Sequence, residues 1–152
     1  MALYQRILLA VDLTTDSELI GQRARALAAA FDAQLLILSV IEPLPAVAPI
    51  PPEEVEPALV TTMSEMITGA QVRVGRLART LGVPENRATV VMGSIKDEIL
   101  RAASAHGVDL IVIGNHQRHG LALFIKPTED AVVQQARCDV LAVHLTERAE
   151  RR

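Results

Sequence analysis

Val108-Asp-Leu-Ile-Val-Ile-Gly114 is an apolar stretch that runs into Asn115-His116-Gln117, and it decides the fold of this chain. A second stretch, Arg6-Ile-Leu-Leu-Ala-Val11, runs into Asp12 in the same way. Because neither stretch alternates apolar with polar residues, both are typical of strands that are buried on both faces of a parallel sheet. Ligands of such sheets bind beyond the carboxyl ends of the strands. We therefore expect any binding chemistry to lie near Asp12, Gly93 and Gly114.

Composition narrows the class of protein. The 152 residues fit a single domain with a full core. Half of the residues are hydrophobic but only 2% are aromatic, and the net charge is −3, so we expect no nucleic-acid binding. The single cysteine, Cys138, excludes an internal disulfide and a thiolate metal cluster. We expect no signal peptide and no membrane-spanning segment, and therefore a soluble cytoplasmic protein.

The chain alternates strands with helices along its length. Apolar runs predict five strands, at Arg6–Val11, Leu35–Ile41, Ala88–Met92, Val108–Gly114 and Val140–His144. Apolar residues at helical spacing predict four helices, at Asp16–Phe31, Val55–Leu81, from Ile95 until Gly107, and at Thr128–Ala136. This alternation predicts an α/β fold: a five-stranded, doubly wound parallel sheet in a Rossmann-like three-layer sandwich. Residues 1–146 form one domain in this interpretation, and 147–152 form a polar tail.

Local signals predict how the helices begin. Thr15-Asp-Ser-Glu18 has the form of a capping box for the first helix, and Ser94 is predicted to cap the third. Six of the eight prolines lie between Pro43 and Pro57, which predicts an irregular loop there. We expect the strand order to reverse between the first and fourth strands, where a crevice forms.

Two positions near the predicted crevice could bind a ligand. The Asp12 carboxylate can accept a hydrogen bond from a ribose hydroxyl or an adenine amine, or hold a cation with phosphates; alternatively, it caps the turn into the first helix. Gly93-Ser94 begins a helix whose N–H groups and dipole favour an anion. The alternative there is an ordinary tight turn with a capping serine.

Other reactive residue types have weaker patterns. His116 and His119 lie three residues apart, but no cysteine or carboxylate accompanies them in the loop, so we expect no metal site. Cys138 is expected to be a buried, unreactive thiol. The sequence contains no nucleophile elbow, no phosphate-loop lysine motif and no dinucleotide-binding glycine motif. We therefore expect that the protein is not an enzyme.

Three stretches in order make the chain similar to the universal stress protein family. They are Ile7-Leu-Leu-Ala-Val-Asp-Leu13, the run from Val108 to Gln117, and Ala136-Arg-Cys-Asp-Val-Leu-Ala-Val143. The resemblance covers nearly the whole chain. It implies that members holding ATP use an Asp equivalent to Asp12, backbone near Val40, the glycine at Gly93, and a loop from Gly114 to Thr128.

The phosphate loop departs from the pattern of the nucleotide-binding members. Their loop reads Gly, two residues, Gly, nine residues, Gly, and then Ser or Thr. Counted from Gly114, Gln117 and Pro127 stand at the second and third glycines, and only Thr128 supplies the expected hydroxyl. Pro127 also lacks the backbone donor that a phosphate needs. In this respect the chain resembles the UspA-like branch, whose members are regarded as not binding ATP.

The resemblance implies a cytoplasmic homodimer that acts in the stress response through other proteins, without catalysis and without a cofactor. The alternative is a member that binds ATP, ADP or AMP with Mg through Asp12, Val40, Gly93 and a nonstandard phosphate loop. A third possibility is an enzyme on a similar doubly wound sheet. The two-fold contact implied by the resemblance runs along the last strand, through Val140, Leu141, Ala142 and Val143.

Overall fold

A computed structural model describes residues 2–13, 16–43, 52–116 and 128–145, with the backbone alone at 52–61, 115–116, 128–129 and 145. The strands are β1 Arg6–Val11, β2 Gln34–Ile41, β3 Ala88–Met92, β4 Leu110–His116 and β5 Asp139–Leu145. The helices are α1 Ser17–Phe31, α2 Pro52–Leu81, α3 Ile95–Ala105 and α4 Thr128–Gln135, with a 3₁₀ turn at Glu85–Arg87.

The five strands form one parallel sheet in the order β3-β2-β1-β4-β5. The chain moves outward from β1 to β3 on one side, and β4 and β5 lie on the other side of β1. The strand order therefore reverses between β1 and β4, as the sequence predicts. The predicted doubly wound α/β sandwich is confirmed.

Both faces of the sheet are covered by helices, which explains why β1 is apolar from Ile7 to Val11. Ile7, Leu9 and Val11 pack with residues of α1 and α2 on one face. Leu8 and Ala10 pack with residues of α3 and α4 on the other. Because successive strand residues point to opposite faces, a central strand with two covered faces needs apolar residues at every position.

The amino end of β1 is held by a carboxylate. Asp109 interrupts the apolar stretch that precedes Gly114, and its two carboxylate oxygens accept from the backbone N–H groups of Gln5 and Arg6 at 2.8 and 3.1 Å. Its own N–H donates to the Arg6 carbonyl at 3.0 Å. The polar residue within this stretch therefore joins β4 to the start of β1.

Several predicted element ends differ from the structure. The predicted loop Pro43–Pro57 is wrong at its end, because α2 begins at Pro52; proline is tolerated in the first turn of a helix, where its missing N–H would have no partner anyway. β4 does not end at Gly114 but continues to His116, because β5 stays paired with it to Leu145. Thr15 of the predicted capping box lies outside the described residues; the structure gives Asp16 as the N-cap of α1, without a side-chain cap bond.

Candidate functional site

The predicted site residues lie along the carboxyl edge of the sheet. Asp12 directly follows β1, Val40 lies near the end of β2, Gly93 follows β3, and Gly114 lies within β4. Val11 pairs with Ser39, so Asp12 and Val40 are level on neighbouring strands that lie about 4.8 Å apart.

The loop part of the predicted site falls outside the described residues. Residues 117–127, which include Gln117, His119 and Pro127, are not described. Thr128 is the first residue of α4, and only its backbone is described, as is that of His116. The altered phosphate loop and the expected absence of a metal at the two histidines therefore stay predictions. Within the described ranges, no group of three His, Cys, Asp or Glu residues has a geometry that could hold a metal ion.

The pairing between β1 and β4, where the strand order reverses, ends early. β1 pairs with β4 over Ile7–Leu9 and Leu110–Val112. Beyond that, β1 remains paired with β2 as far as Val11, and β4 remains paired with β5 as far as His116. The two central strands therefore stop pairing with each other before either strand ends. In doubly wound sheets, ligands bind at the point where the strand order reverses.

The turn after Asp12 is strained. Asp12 is exposed, and Leu13 beside it has a φ of 62°, in the left-handed region. A residue with a Cβ pays roughly 1–2 kcal/mol in this region. Strained backbone of this kind concentrates where a segment is held in a shape for a purpose other than stability.

The position of Gly93 requires glycine. Its φ of 152° is rarely adopted by other residues, and a Cβ there would lie 2.9 Å from Cγ of Glu98. Its N–H donates to the carbonyl of Ile41 at 3.0 Å, which continues the bonding between β2 and β3. This amide is therefore engaged within the sheet and does not point to a ligand.

The amino terminus of α3 is occupied by a carboxylate of the chain itself. An oxygen of Glu42 accepts from the N–H of Ile95 at 3.2 Å. Ser94 is the N-cap residue of α3, as predicted, but its side chain makes no cap bond. A carboxylate in this place satisfies a free N–H and complements the positive end of the helix dipole. An anion approaching α3 would compete with Glu42 for the Ile95 N–H.

Sequence reasoning missed Glu42. The pair Glu42-Pro43 indicates only the end of β2, and the helix that Glu42 caps begins 53 residues later. The sequence does show that Glu42 directly follows an apolar strand, which places it at the carboxyl edge of the sheet, where α3 also begins.

Two titratable groups lie at the opposite, amino edge of the sheet. The Tyr4 hydroxyl donates to Oδ2 of Asp139 at 2.8 Å, and this bond to a carboxylate raises the pKa of Tyr4. Burial, followed by the charges of Asp139 and Asp109, raises the pKa of the Cys138 thiol. The thiolate is the reactive form of cysteine, so we expect Cys138 to be less reactive than a free cysteine.

The chain is similar to known proteins along almost its whole length. The sequence model of the universal stress protein family matches residues 3–144. The chain belongs to this family. None of the described helices has the length and apolar character needed to cross a bilayer.

Individual universal stress proteins are similar to the chain along almost all of its length. Universal stress protein A homolog 2 of Coxiella burnetii is 35% identical over 144 residues, which cover 93% of this chain and 96% of that protein. The structure of universal stress protein UspA from Lactobacillus plantarum gives a TM-score of 0.74 at 22% identity, covering 92% and 97% of the two chains. A universal stress protein solved in complex with cAMP gives a TM-score of 0.62 at 22% identity, covering 93% and 97%. The predicted membership and its similarity to UspA are confirmed.

Proposed function

We propose that this chain is a UspA-type member that acts in the stress response as a cytoplasmic homodimer, through contacts with other proteins, without catalysis and without strong nucleotide binding. The observation that carries the proposal is the engagement of the edge amides. The N–H groups of Gly93 and Ile95, which could hold a phosphate, donate instead to Ile41 and to the Glu42 carboxylate. A phosphate at this part of the edge would also lie against the charge of Glu42.

The sequence of the undescribed loop supports the same proposal. Gln117 and Pro127 replace two glycines of the phosphate-binding frame. Glycine allows a close approach of the backbone to a ligand, and proline removes an N–H donor. Fewer amides are then available to surround a triphosphate.

The part of the proposal that concerns the homodimer is supported by the free side of β5. β5 forms one end of the sheet, with Leu141 38% exposed and Ala142 exposed on it. An open strand edge with apolar side chains is prone to pair with another chain, and a two-fold contact would cover it in both copies. The cytoplasmic part is supported by the single cysteine, which suits a reducing compartment.

A second candidate, binding of an adenine nucleotide, is favoured by one observation. Asp12 and Val40 are level at the carboxyl edge of the sheet, and Asp12 follows the strand that stops pairing with β4 before its end. A carboxylate there can accept hydrogen bonds from a ribose. A structural relative was solved in complex with cAMP, an adenine nucleotide, which supports this candidate.

Calorimetric titration of the purified protein with ATP and magnesium tests the choice between the two. We expect no binding tighter than about 100 μM, which corresponds to a free energy near −5.5 kcal/mol. The double variant Gln117→Gly, Pro127→Gly is expected to bind more tightly than the natural chain, because it restores flexibility and an N–H donor to the loop.

Tight binding by the natural chain that is lost in Asp12→Asn would favour the second candidate instead. Equal and weak binding by the natural chain and the double variant would contradict the account of the loop.

A further inference from the structure

The outer side of β3 is a second open edge of the sheet, at the opposite end from β5. β3 pairs with β2 and, among the described residues, with no other strand. The Gly93 N–H donates toward β2, to the carbonyl of Ile41. Because the backbone polar groups of alternate strand residues point to opposite sides, Val91 and Thr89 also face β2.

The remaining β3 residues therefore turn their backbone groups outward. These are Ala88, Val90 and Met92. The N–H of Ala88 is engaged by the carbonyl of Glu85 in the preceding turn. Val90 then offers both an N–H and a carbonyl to a neighbour, and Met92 offers an N–H. β3 contains no charge and no proline, the residues that commonly protect such an edge from pairing.

A recess lies beside this edge on the face of the sheet covered by α2. It has a volume of about 510 Å³. We call it the α2 recess, and its lining includes Val72, Val74, Gly75, Arg76, Arg79 and Val90. Val72 is 56% exposed, and a Cβ on Gly75 would meet no atom within 4 Å. Apolar surface and open space thus adjoin the outward groups of β3.

A second recess lies on the other face, beneath α3. It has a volume of about 210 Å³. We call it the α3 recess, and its lining includes Leu36, Arg87, Val91, Arg101, Ala102 and Ala105. Thr89 of β3 lines both recesses. The edge strand therefore has space on both faces, which is what the alternating side chains of an added strand require.

Each recess is lined by two arginines and one glutamate, so each has one more positive than negative side chain. Arg79 pairs with Glu85 at 3.4 Å in the α2 recess, and Arg101 pairs with Glu98 at 2.7 Å in the α3 recess. Arg76 in the first recess and Arg87 in the second form no ion pair with any described residue. One guanidinium on each face is left to attract a carboxylate.

We propose that the outer edge of β3 binds an extended segment of a partner protein as a sixth strand. Val90 and Met92 supply the backbone bonds, apolar side chains of the segment enter the two recesses, and its carboxylates bind Arg76 and Arg87. This is recognition by strand addition, in which the main chain gives affinity and the side-chain recesses give specificity. The inference rests on the proposed function, in which the chain acts through other proteins, and it names the surface and the chemistry of the partner.

The test uses the full chain and a fluorescein-labelled peptide, Glu-Val-Thr-Val-Val-Glu, as the probe, which presents valine and one glutamate on each face when it is extended. We expect saturable binding by fluorescence anisotropy, and at least about tenfold weaker binding when lysine replaces glutamate in the peptide. Amide hydrogen exchange locates the bound peptide on the sheet. The N–H groups of Val90 and Met92 should exchange about tenfold more slowly with peptide bound, while those of Val91 and Gly93, which already donate to β2, should not change.

Two substitutions test separately the contribution of the Val90 backbone N–H and that of the Arg76 charge to peptide binding. Val90→Pro removes an outward N–H without touching the bonds to β2, and it should weaken binding at least about tenfold. Arg76→Glu should weaken binding similarly, whereas Arg73→Glu is the matched control, because Arg73 lies on the same helix and does not line the α2 recess. The two arginine variants keep the test decisive if Val90→Pro does not fold.

No saturable binding up to about 1 mM peptide would overturn the inference. Slower exchange at Leu141 in place of Val90 and Met92 would also overturn it, since β5 would then be the receiving edge. Protection of Val90 and Met92 that grows with protein concentration in the absence of peptide would mean that a second copy occupies the edge, which contradicts a partner protein. Each of these results leaves the nucleotide titration as it stands, so a failure here is distinct from a failure of the proposed function.

Discussion

Cys138 shows how a single residue is controlled by its surroundings. It is half-buried just before β5, and burial together with the carboxylates of Asp139 and Asp109 raises its thiol pKa. At about pH 7.5 a raised pKa means less thiolate, and the thiolate is the nucleophile. We expect iodoacetamide to alkylate Cys138 more slowly than free cysteine at this pH, with a rate that continues to rise above about pH 9.

The matched control is the same protein unfolded in urea, whose thiol should react like free cysteine. Mass spectrometry of the modified chain gives both rates. Alkylation of the folded protein at the rate of free cysteine would show that Cys138 is not protected as described.

The residues that sequence reasoning placed well are those whose chemistry is local. Gly93 follows an apolar run, and the structure requires glycine there. Ser94 is the N-cap residue of α3, as its position before the helix predicts. The side chain that accepts a hydrogen bond from the first turn of α3 is that of Glu42, not that of Ser94. A cap from a distant segment depends on which strand ends beside which helix, and that adjacency exists only after the sheet has formed.

At the scale of elements, the contact between α1 and α2 depends on Gly21. A Cβ at this position would lie 2.8 Å from Cδ1 of Leu81, which is only 2% exposed and cannot move freely. We expect Gly21→Ala to lower the free energy of unfolding by about 1–3 kcal/mol, because overfilled contacts displace their neighbours. Urea denaturation followed by circular dichroism measures the change.

Gly75 on α2 is the matched control for this substitution. A Cβ there meets nothing within 4 Å, so Gly75→Ala should raise the free energy of unfolding by up to about 1 kcal/mol through helix propensity alone. If Gly21→Ala stabilised the protein as much as Gly75→Ala, the two helices would not be in close contact at Gly21.

The elements themselves were largely predictable. β1 and β3 have the predicted bounds, because apolar runs between polar residues define buried strands. The errors lie where partners decide the ends. The pairing of β4 with β5 extends β4 to His116, and Pro52 starts a helix that a cluster of prolines alone argues against.

At the scale of the whole molecule, the proposed dimer depends on the free edge of β5. Leu141→Glu would place a charge within the contact, where burial without a partner is unfavourable. We expect this variant to sediment as a monomer at a concentration where the natural chain is a dimer. Leu19→Glu is the control, since Leu19 is 50% exposed on α1, away from β5, and should leave the dimer intact.

A dimer that persists in Leu141→Glu would move the interface to another surface. Dissociation in both variants would point instead to general destabilisation, which the same urea measurements would detect.

The central place of β1 also has a consequence for synthesis on the ribosome. β1 emerges first, but its neighbour β4, with which it pairs at Ile7–Leu9, is translated about a hundred residues later. Until Leu110–Val112 leave the exit tunnel, the nascent chain keeps one side of its most apolar strand unpaired. The half-finished chain is therefore more prone to aggregate than the finished protein, and Asp109, which arrives with β4, then binds the amides of Gln5 and Arg6 at the start of β1.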